Sequence, residues 1–350
     1  MLFAYTYVPH AMEKMQAFID FIFYEVWCAA PGNGDFRLEL FDAKPELREV
    51  MKAFYYSDKK NADFFYGSVE RIYRHFSTLD AKRIRRLKWW YASNNNIERL
   101  CRNDTGCHAT HYSHIEKKFP EIMKDIQTFF TGLYDFNAAV LTDKVGSIDD
   151  HYRAFMEANS TGKCPFCGLG DIKGVHHTKR EAYDHYLPKA LYPFSSINFR
   201  NLAPACHECN STYKLSKDPA HNAAGRRKAF YPYTTGTHQI EITVDLNSPD
   251  LDRLTPADIQ ITFGPTASHE EIETWREVYG IDERYKAKGC GESDGKYWLT
   301  QVFDEWQEDG RVPVDHLNTL NRQTARNPLA DSNFLKKAFL EGCRRVGLFR

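Results

Sequence analysis

The 350-residue sequence predicts an α+β protein, and three observations carry that expectation. Apolar residues recur at spacings of three and four through much of the first 158 positions, which is the helical period. At Thr161-Gly162 the pattern gives way to turn-rich sequence holding two Cys-x2-Cys pairs. After Phe230, apolar and polar residues alternate as in strands, and helical spacing then returns. The expected order is a mainly helical region over 1–158, a cysteine-bearing unit over 159–235, and a strand-plus-helix region over 236–350. Such a length suggests two or three domains with ample apolar core.

Met12, Met15, Ile19, Ile22 and Val26 place the first amphipathic helix at 11–28. Further helical patterns run over 46–56, 63–93, 113–133 and 147–158, with Pro31, Gly32, Gly34 and Asn94 to Asn96 as breaks. Such stripes are first of all helix-on-helix packing surfaces. Beyond the cysteine unit, "YPYTTGTHQIEITVDLNS" and "ADIQITFG" read as strands and "HEEIETWREVYGIDERY" as a helix. Residues 296–309 and 332–346 read as two more helices, joined by a proline-containing connection.

The net charge of −1 excludes a general polycation, yet charge is unevenly spread. From Ser160 to Phe230 there are 11 Lys and Arg against 5 Asp and Glu, a local anion footprint that suits nucleic acid. "MLFAYTYVPHAMEKM" has neither the basic start nor the apolar run of a signal peptide, and "MQAFIDFIFYEVW" is too short and too charged to span a bilayer. No membrane role and a reducing cytoplasm are therefore expected, where paired cysteines are more often metal ligands than disulfides.

Cys164-x2-Cys167 and Cys206-x2-Cys209 form a four-thiolate framework in which each short loop offers two sulfurs to one ion. Tetrahedral Zn²⁺ is the natural occupant, although an iron–sulfur cluster uses the same four thiolates. Between the pairs runs "REAYDHYLPKALYPFSSINFRNLAPACHECN", residues 180–210. Zinc does not require its Asp184, His185 or the Asn210 that follows Cys209. Carboxylate and amide oxygens suit a harder cation such as Mg²⁺, and a neighbouring imidazole can deprotonate a water. Together they read as a one-metal phosphodiester hydrolase. The lesser alternative is that Asp184 and Asn210 are turn or cap residues and His185 a buried hydrogen-bonded histidine.

The combination "YDHYLPK…NLAPACHECN…K" resembles the HNH nuclease superfamily, over about residues 160–235. That resemblance implies a ββα-metal element with Asp-His on its first strand, a central asparagine in the hairpin, and a final asparagine on the following helix. The zinc-stapled subclass, similar to phage endonuclease VII, carries its last asparagine directly after a cysteine, as in Cys209-Asn210. The wording "DHYLPK" and "FYPY" is further similar to HNH effectors of bacterial antiphage systems of the Septu and retron kind, which implies an ATPase or retron partner protein. Carried over, His185 is the general base, Asp184 and Asn210 are ligands of Mg²⁺ or Mn²⁺, and Asn201 is the central asparagine that holds the hairpin through backbone hydrogen bonds. Lys189 and Lys214 would contact phosphate, and His177, with His176, could reach it. DNA is the implied substrate, cut to 5′-phosphate and 3′-hydroxyl ends. The competing reading is a non-catalytic zinc module that binds nucleic acid or a partner protein.

Two other motifs stand apart. Cys107, His111 and His114 in "CRNDTGCHATHYSH" would share a helical face, but their spacing fits a polar helix start better than a second zinc. "KRIRRLKWWY", residues 82–91, interleaves five basic side chains with aromatics. Such interleaving suits nucleic-acid backbone and base stacking, but an amphipathic helix with a solvated basic face over buried aromatics is the favoured reading.

Overall fold

A computed structural model describes residues 1–57, 60–136, 138–236 and 240–349. It is α+β, with a helical N-terminal region and small antiparallel sheets of two strands each. The helices used below are α1 (Glu13–Phe21), α2 (Pro45–Tyr55), α3 (Ser68–Ser77), α4 (Ala81–Asn94), α5 (Pro120–Leu133) and α6 (Ile148–Ala158). The C-terminal region contributes α7 (His269–Tyr279), α8 (Ile281–Cys290), α9 (Gly295–Glu308), α10 (Pro313–Arg326) and α11 (Asn333–Arg345).

Several boundaries differ from the sequence expectation, each for a local reason. The pattern over 63–93 is broken between Ser77 and Ala81, because Asp80 caps α4 by accepting from the Arg83 amide at 2.8 Å. The pattern over 113–133 is broken at Phe119, because Pro120 opens α5. The stretch expected to be a proline-containing connection is a helix, α10: Pro313 starts it, and Leu317 and Leu320 bury one face. Proline ends a helix when it falls inside one, but it is favoured in the first turn. Of the strand expected from 231 onward, only Glu241–Leu246 forms, paired with Ile259–Gly264; Thr237, His238 and Gln239 lie outside the described residues.

Two apolar cores organise the chain, and they do not divide at residue 158. The first is helical and aromatic, built by α1 to α5 around Trp27, with Phe23 stacked on Tyr91 at 3.9 Å. The second gathers residues 1–8, 97–109 and 148–156 with the cysteine unit and the C-terminal region. Phe194 and Ile197, from the cysteine unit, cross into the first core. The two cores are thus pinned together by the very segment that carries the candidate site. Among the described residues no helix is long and apolar enough to cross a membrane.

Candidate metal centre and acid–base site

Strand β1 (Tyr183–His185) pairs antiparallel with β2 (Leu202–Pro204), setting Asp184 opposite Ala203 and His185 opposite Leu202. A wide, π-type helical turn over Glu208–Lys214 follows. The chain thus runs strand, long loop, strand, helical turn, and its last turn begins inside the second cysteine pair. Two shorter strands, β3 (His221–Asn222) and β4 (Gly225–Arg226), and the C-terminal pair β5 (Glu241–Leu246) and β6 (Ile259–Gly264) lie beyond it.

The four sulfurs of Cys164, Cys167, Cys206 and Cys209 lie within 4.8 Å of one another, and all four residues are buried. This is the single such ligand cluster among the described residues, and its donor set fits zinc. The knuckle is tight. A Cβ on Gly170 would come within 2.7 Å of the Cys206 sulfur, so no other residue fits there. Hydrogen bonds from neighbouring cysteines hold the Cys167 thiol well below the ordinary range, and the charge of Arg284 assists. The C-terminal region braces the cluster from outside: Arg284 Nη1 donates to Cys209 Sγ at 3.1 Å, and the Tyr285 hydroxyl donates to the Cys167 carbonyl at 2.8 Å. A guanidinium against a thiolate offsets the excess negative charge that four cysteines carry beyond a divalent ion.

Asp184 is 2% exposed and Lys214 is 0% exposed. The ammonium of Lys214 donates to Asp184 Oδ1 at 2.9 Å and to the His185 carbonyl at 2.8 Å. Lys214 therefore differs from the expected phosphate contact: it is the buried counter-charge of Asp184, held there because an isolated buried carboxylate is costly. Burial pushes the Asp184 carboxyl up and Lys214 works against that shift. Asp184 Oδ2 is also buried, and among the described residues no hydrogen-bond partner reaches it.

His185 Nε2 lies 2.8 Å from the Ser196 carbonyl. A carbonyl only accepts, so Nε2 carries the proton and Nδ1 keeps its lone pair in the neutral ring. Burial lowers the pKa to about 4, opposed by the Ser196 carbonyl and assisted by Lys189 and Lys214. The imidazole is thus neutral near pH 7. Tyr134 packs edge-on against it at 4.5 Å. Tyr134, Ile197, Phe199, Leu202 and Arg180 also line a neighbouring cavity of about 410 Å³.

Asn201 is buried, accepts from the Leu187 amide at 2.8 Å, and donates to the Leu187 and Ser195 carbonyls at 3.0 and 3.3 Å. It fixes both ends of the loop whose Ser196 carbonyl orients His185. Asn210 is half-buried, one turn before Lys214 on the same element. Lys189 is tied to Asp135 at 2.9 Å and lies over the Tyr134 ring. His176 and His177 are exposed, and His177 Nδ1 accepts from the Gly174 amide at 3.1 Å within a turn. Away from this site, His111 pairs with Asp218 at 3.0 Å and His114 Nδ1 accepts from the His111 amide, so those histidines do not converge with Cys107 on one point. Sequence reasoning misses Tyr134, the Ser196 carbonyl and Arg284. Each reaches the site from another part of the chain, and no spacing marks them.

Comparison with known proteins adds two partial likenesses. Over 72 residues the chain is 39% identical to protein ea31 of Escherichia phage lambda, a match covering 19% of this chain and 22% of that protein. Over 66 residues it is 35% identical to Septu protein PtuB of Bacillus thuringiensis, covering 18% of this chain and 24% of that protein. The chain therefore matches under a quarter of each relative's length. No described protein family matches the chain. No solved structure does either.

Proposed function

We propose that this chain is a metal-dependent endonuclease of the HNH kind that hydrolyses phosphodiester bonds in DNA and serves as an effector in antiphage defence. The observation that carries the reading is the neighbouring pair on β1. His185 is neutral with its Nδ1 lone pair left over, and Asp184 offers a buried Oδ2 without a partner. An orphaned carboxylate oxygen that deep suits a hard cation.

Asp184 and Asn210 would hold Mg²⁺ or Mn²⁺, which when bound neutralises the scissile phosphate and the leaving oxygen. His185 takes a proton from water at Nδ1, while the Ser196 carbonyl holds the Nε2 proton and stabilises the imidazolium that forms. Lys214 supplies fixed positive charge beneath Asp184 and orients its carboxylate. Asn201 keeps the loop from shifting. Zinc on the four cysteines has no open position and would act as a staple alone. The partial likeness to Septu protein PtuB supports the defence role, and the partner we propose is an ATPase or a retron protein.

The test is divalent-dependent nicking of a supercoiled plasmid. Wild-type protein with Mg²⁺ is expected to nick, and His185→Ala to lose roughly 10²- to 10⁴-fold in rate while keeping its zinc. Equal rates in the two proteins would remove His185 from the chemistry. One observation favours the second reading, a zinc module that only binds nucleic acid or a partner: the Lys214 ammonium already neutralises Asp184 without any cation. Tight DNA binding without divalent-dependent nicking would establish it.

A further inference from the structure

The basic–aromatic helix is not absorbed by the nuclease reading. On α4, Ile84, Leu87, Trp90 and Tyr91 are buried in the helical core. Lys82, Arg85, Arg86 and Trp89 stand at positions i, i+3, i+4 and i+7, which is a single stripe of an α-helix, and Lys88 flanks it. Among the described residues, Arg83 is the one cation of the five with an ion-pair partner, Glu121. Among the described residues no carboxylate pairs with Lys82, Arg85, Arg86 or Lys88. Four cations within seven residues, with only the charge of Asp80 near Lys82, make an open positive face that suits a polyanion.

Trp89 gives the face a second property. Its side chain is 47% exposed, yet it is not loose: its Nε1 points to the Gly106 carbonyl at 3.5 Å and its ring packs against His108 at 5.1 Å. A large aromatic held rigid with open surface is a platform for a flat partner. The helix is also tied to the acid–base site. Asn94 at its C-terminal end donates to the Pro193 carbonyl at 2.8 Å, and Asn198 donates to the Asn95 carbonyl just beyond it at 3.2 Å. Both partners belong to the loop whose Ser196 carbonyl orients His185.

We propose that the outer face of α4 binds an unpaired strand of nucleic acid, with Lys82, Arg85, Arg86 and Lys88 on successive phosphates and one base stacked on Trp89. Fourteen residues of helix span about 20 Å, enough for several nucleotides leading toward the site. A stacked duplex hides its base faces, so Trp89 selects a strand whose bases are free. The proposal rests on the nuclease reading in one respect, that the bound strand continues into the cleavage site.

The experiment measures binding by the full chain carrying His185→Ala, across a salt series, to a single-stranded oligonucleotide, a forked duplex and a blunt duplex. Single-stranded and forked forms are expected to bind more tightly than the blunt one. Changing Lys82, Arg85, Arg86 and Lys88 together to Gln should flatten the plot of log affinity against log salt by about 0.7 for each phosphate no longer neutralised. Trp89→Ala should weaken single-stranded binding roughly tenfold and leave blunt-duplex binding unchanged, and Trp89→Phe should restore most of the affinity. Unchanged slope and affinity in these variants, or an effect confined to binding a second protein, would overturn the proposal. The two readings fail separately: wild-type cleavage with an indifferent α4 face sinks only this inference, and strand binding through α4 without cleavage sinks only the nuclease.

Discussion

The four-cysteine centre and the neighbouring Asp184–His185 pair hold buried polar groups in opposite ways. At the cysteine centre every donor points inward, all four residues are buried, and the surroundings close it from outside through Arg284 and Tyr285. At the acid–base site one carboxylate oxygen is satisfied by Lys214 and the other is left without a partner, while His185 keeps one nitrogen free and borders a cavity through Tyr134. A closed set of soft donors belongs to a staple. An incomplete set of hard donors beside a neutral base is what the proposed hydrolysis would require. The contrast also follows the order of the chain, since the turn that begins at Glu208, inside the second cysteine pair, ends in Lys214, the counter-charge of Asp184.

The staple should break most severely. Cys206→Ser removes one thiolate, and structural zinc sites contribute roughly 10 kcal/mol or more of apparent folding free energy. The expected outcome is protease-sensitive protein with about one metal ion fewer per chain, read by metal analysis beside limited proteolysis. Unchanged metal content would refute the four-cysteine centre.

Lys214→Met probes the other half. It leaves Asp184 as a buried charge without its partner, and breaking such a pair costs about 3–5 kcal/mol. Denaturant unfolding should therefore detect a large drop in stability with zinc retained. If Lys214 instead met phosphate on the surface, stability would barely change and affinity for DNA would fall.

Arg284→Gln is the mildest of the three. Removing a group that hydrogen-bonds a metal ligand typically weakens metal affinity 10- to 100-fold. Competition against a chelator should show faster zinc release with the fold intact beforehand. Identical zinc retention in the variant would mean that Arg284 is mere packing.

What the sequence reveals follows the same division. The cysteine centre is legible because each pair is a local loop, and two such loops at ligand spacing have few other uses. The proposed roles of Asp184, His185, Asn201 and Asn210 rest on residue types that stand together within one segment. Lys214 misleads because whether a lysine is solvated depends on what folds over it, and here α7 packs against the turn that carries it. Arg284, 75 residues beyond Cys209, and Tyr134, 51 before His185, join the site through tertiary packing alone. Helix α10 is hidden by its own Pro313, since a proline that opens a helix and one that ends it look alike until the following face is found to be buried. The two-core arrangement is hidden as well, because residues 97–109 and 148–156 are helical or turn-like in pattern yet pack with the cysteine unit.

The central claim is that two metals of different character serve one hairpin, and a single titration tests it. Purified protein is treated briefly with EDTA, assayed for plasmid nicking, and assayed again after Mg²⁺ or Mn²⁺ is added, with zinc content followed throughout. The account expects nicking to stop and then return while one zinc stays bound, and Asp184→Ala to keep the zinc but lose the response to added cation. Nicking that rises and falls with zinc occupancy alone, with no demand for a second divalent ion, would contradict it.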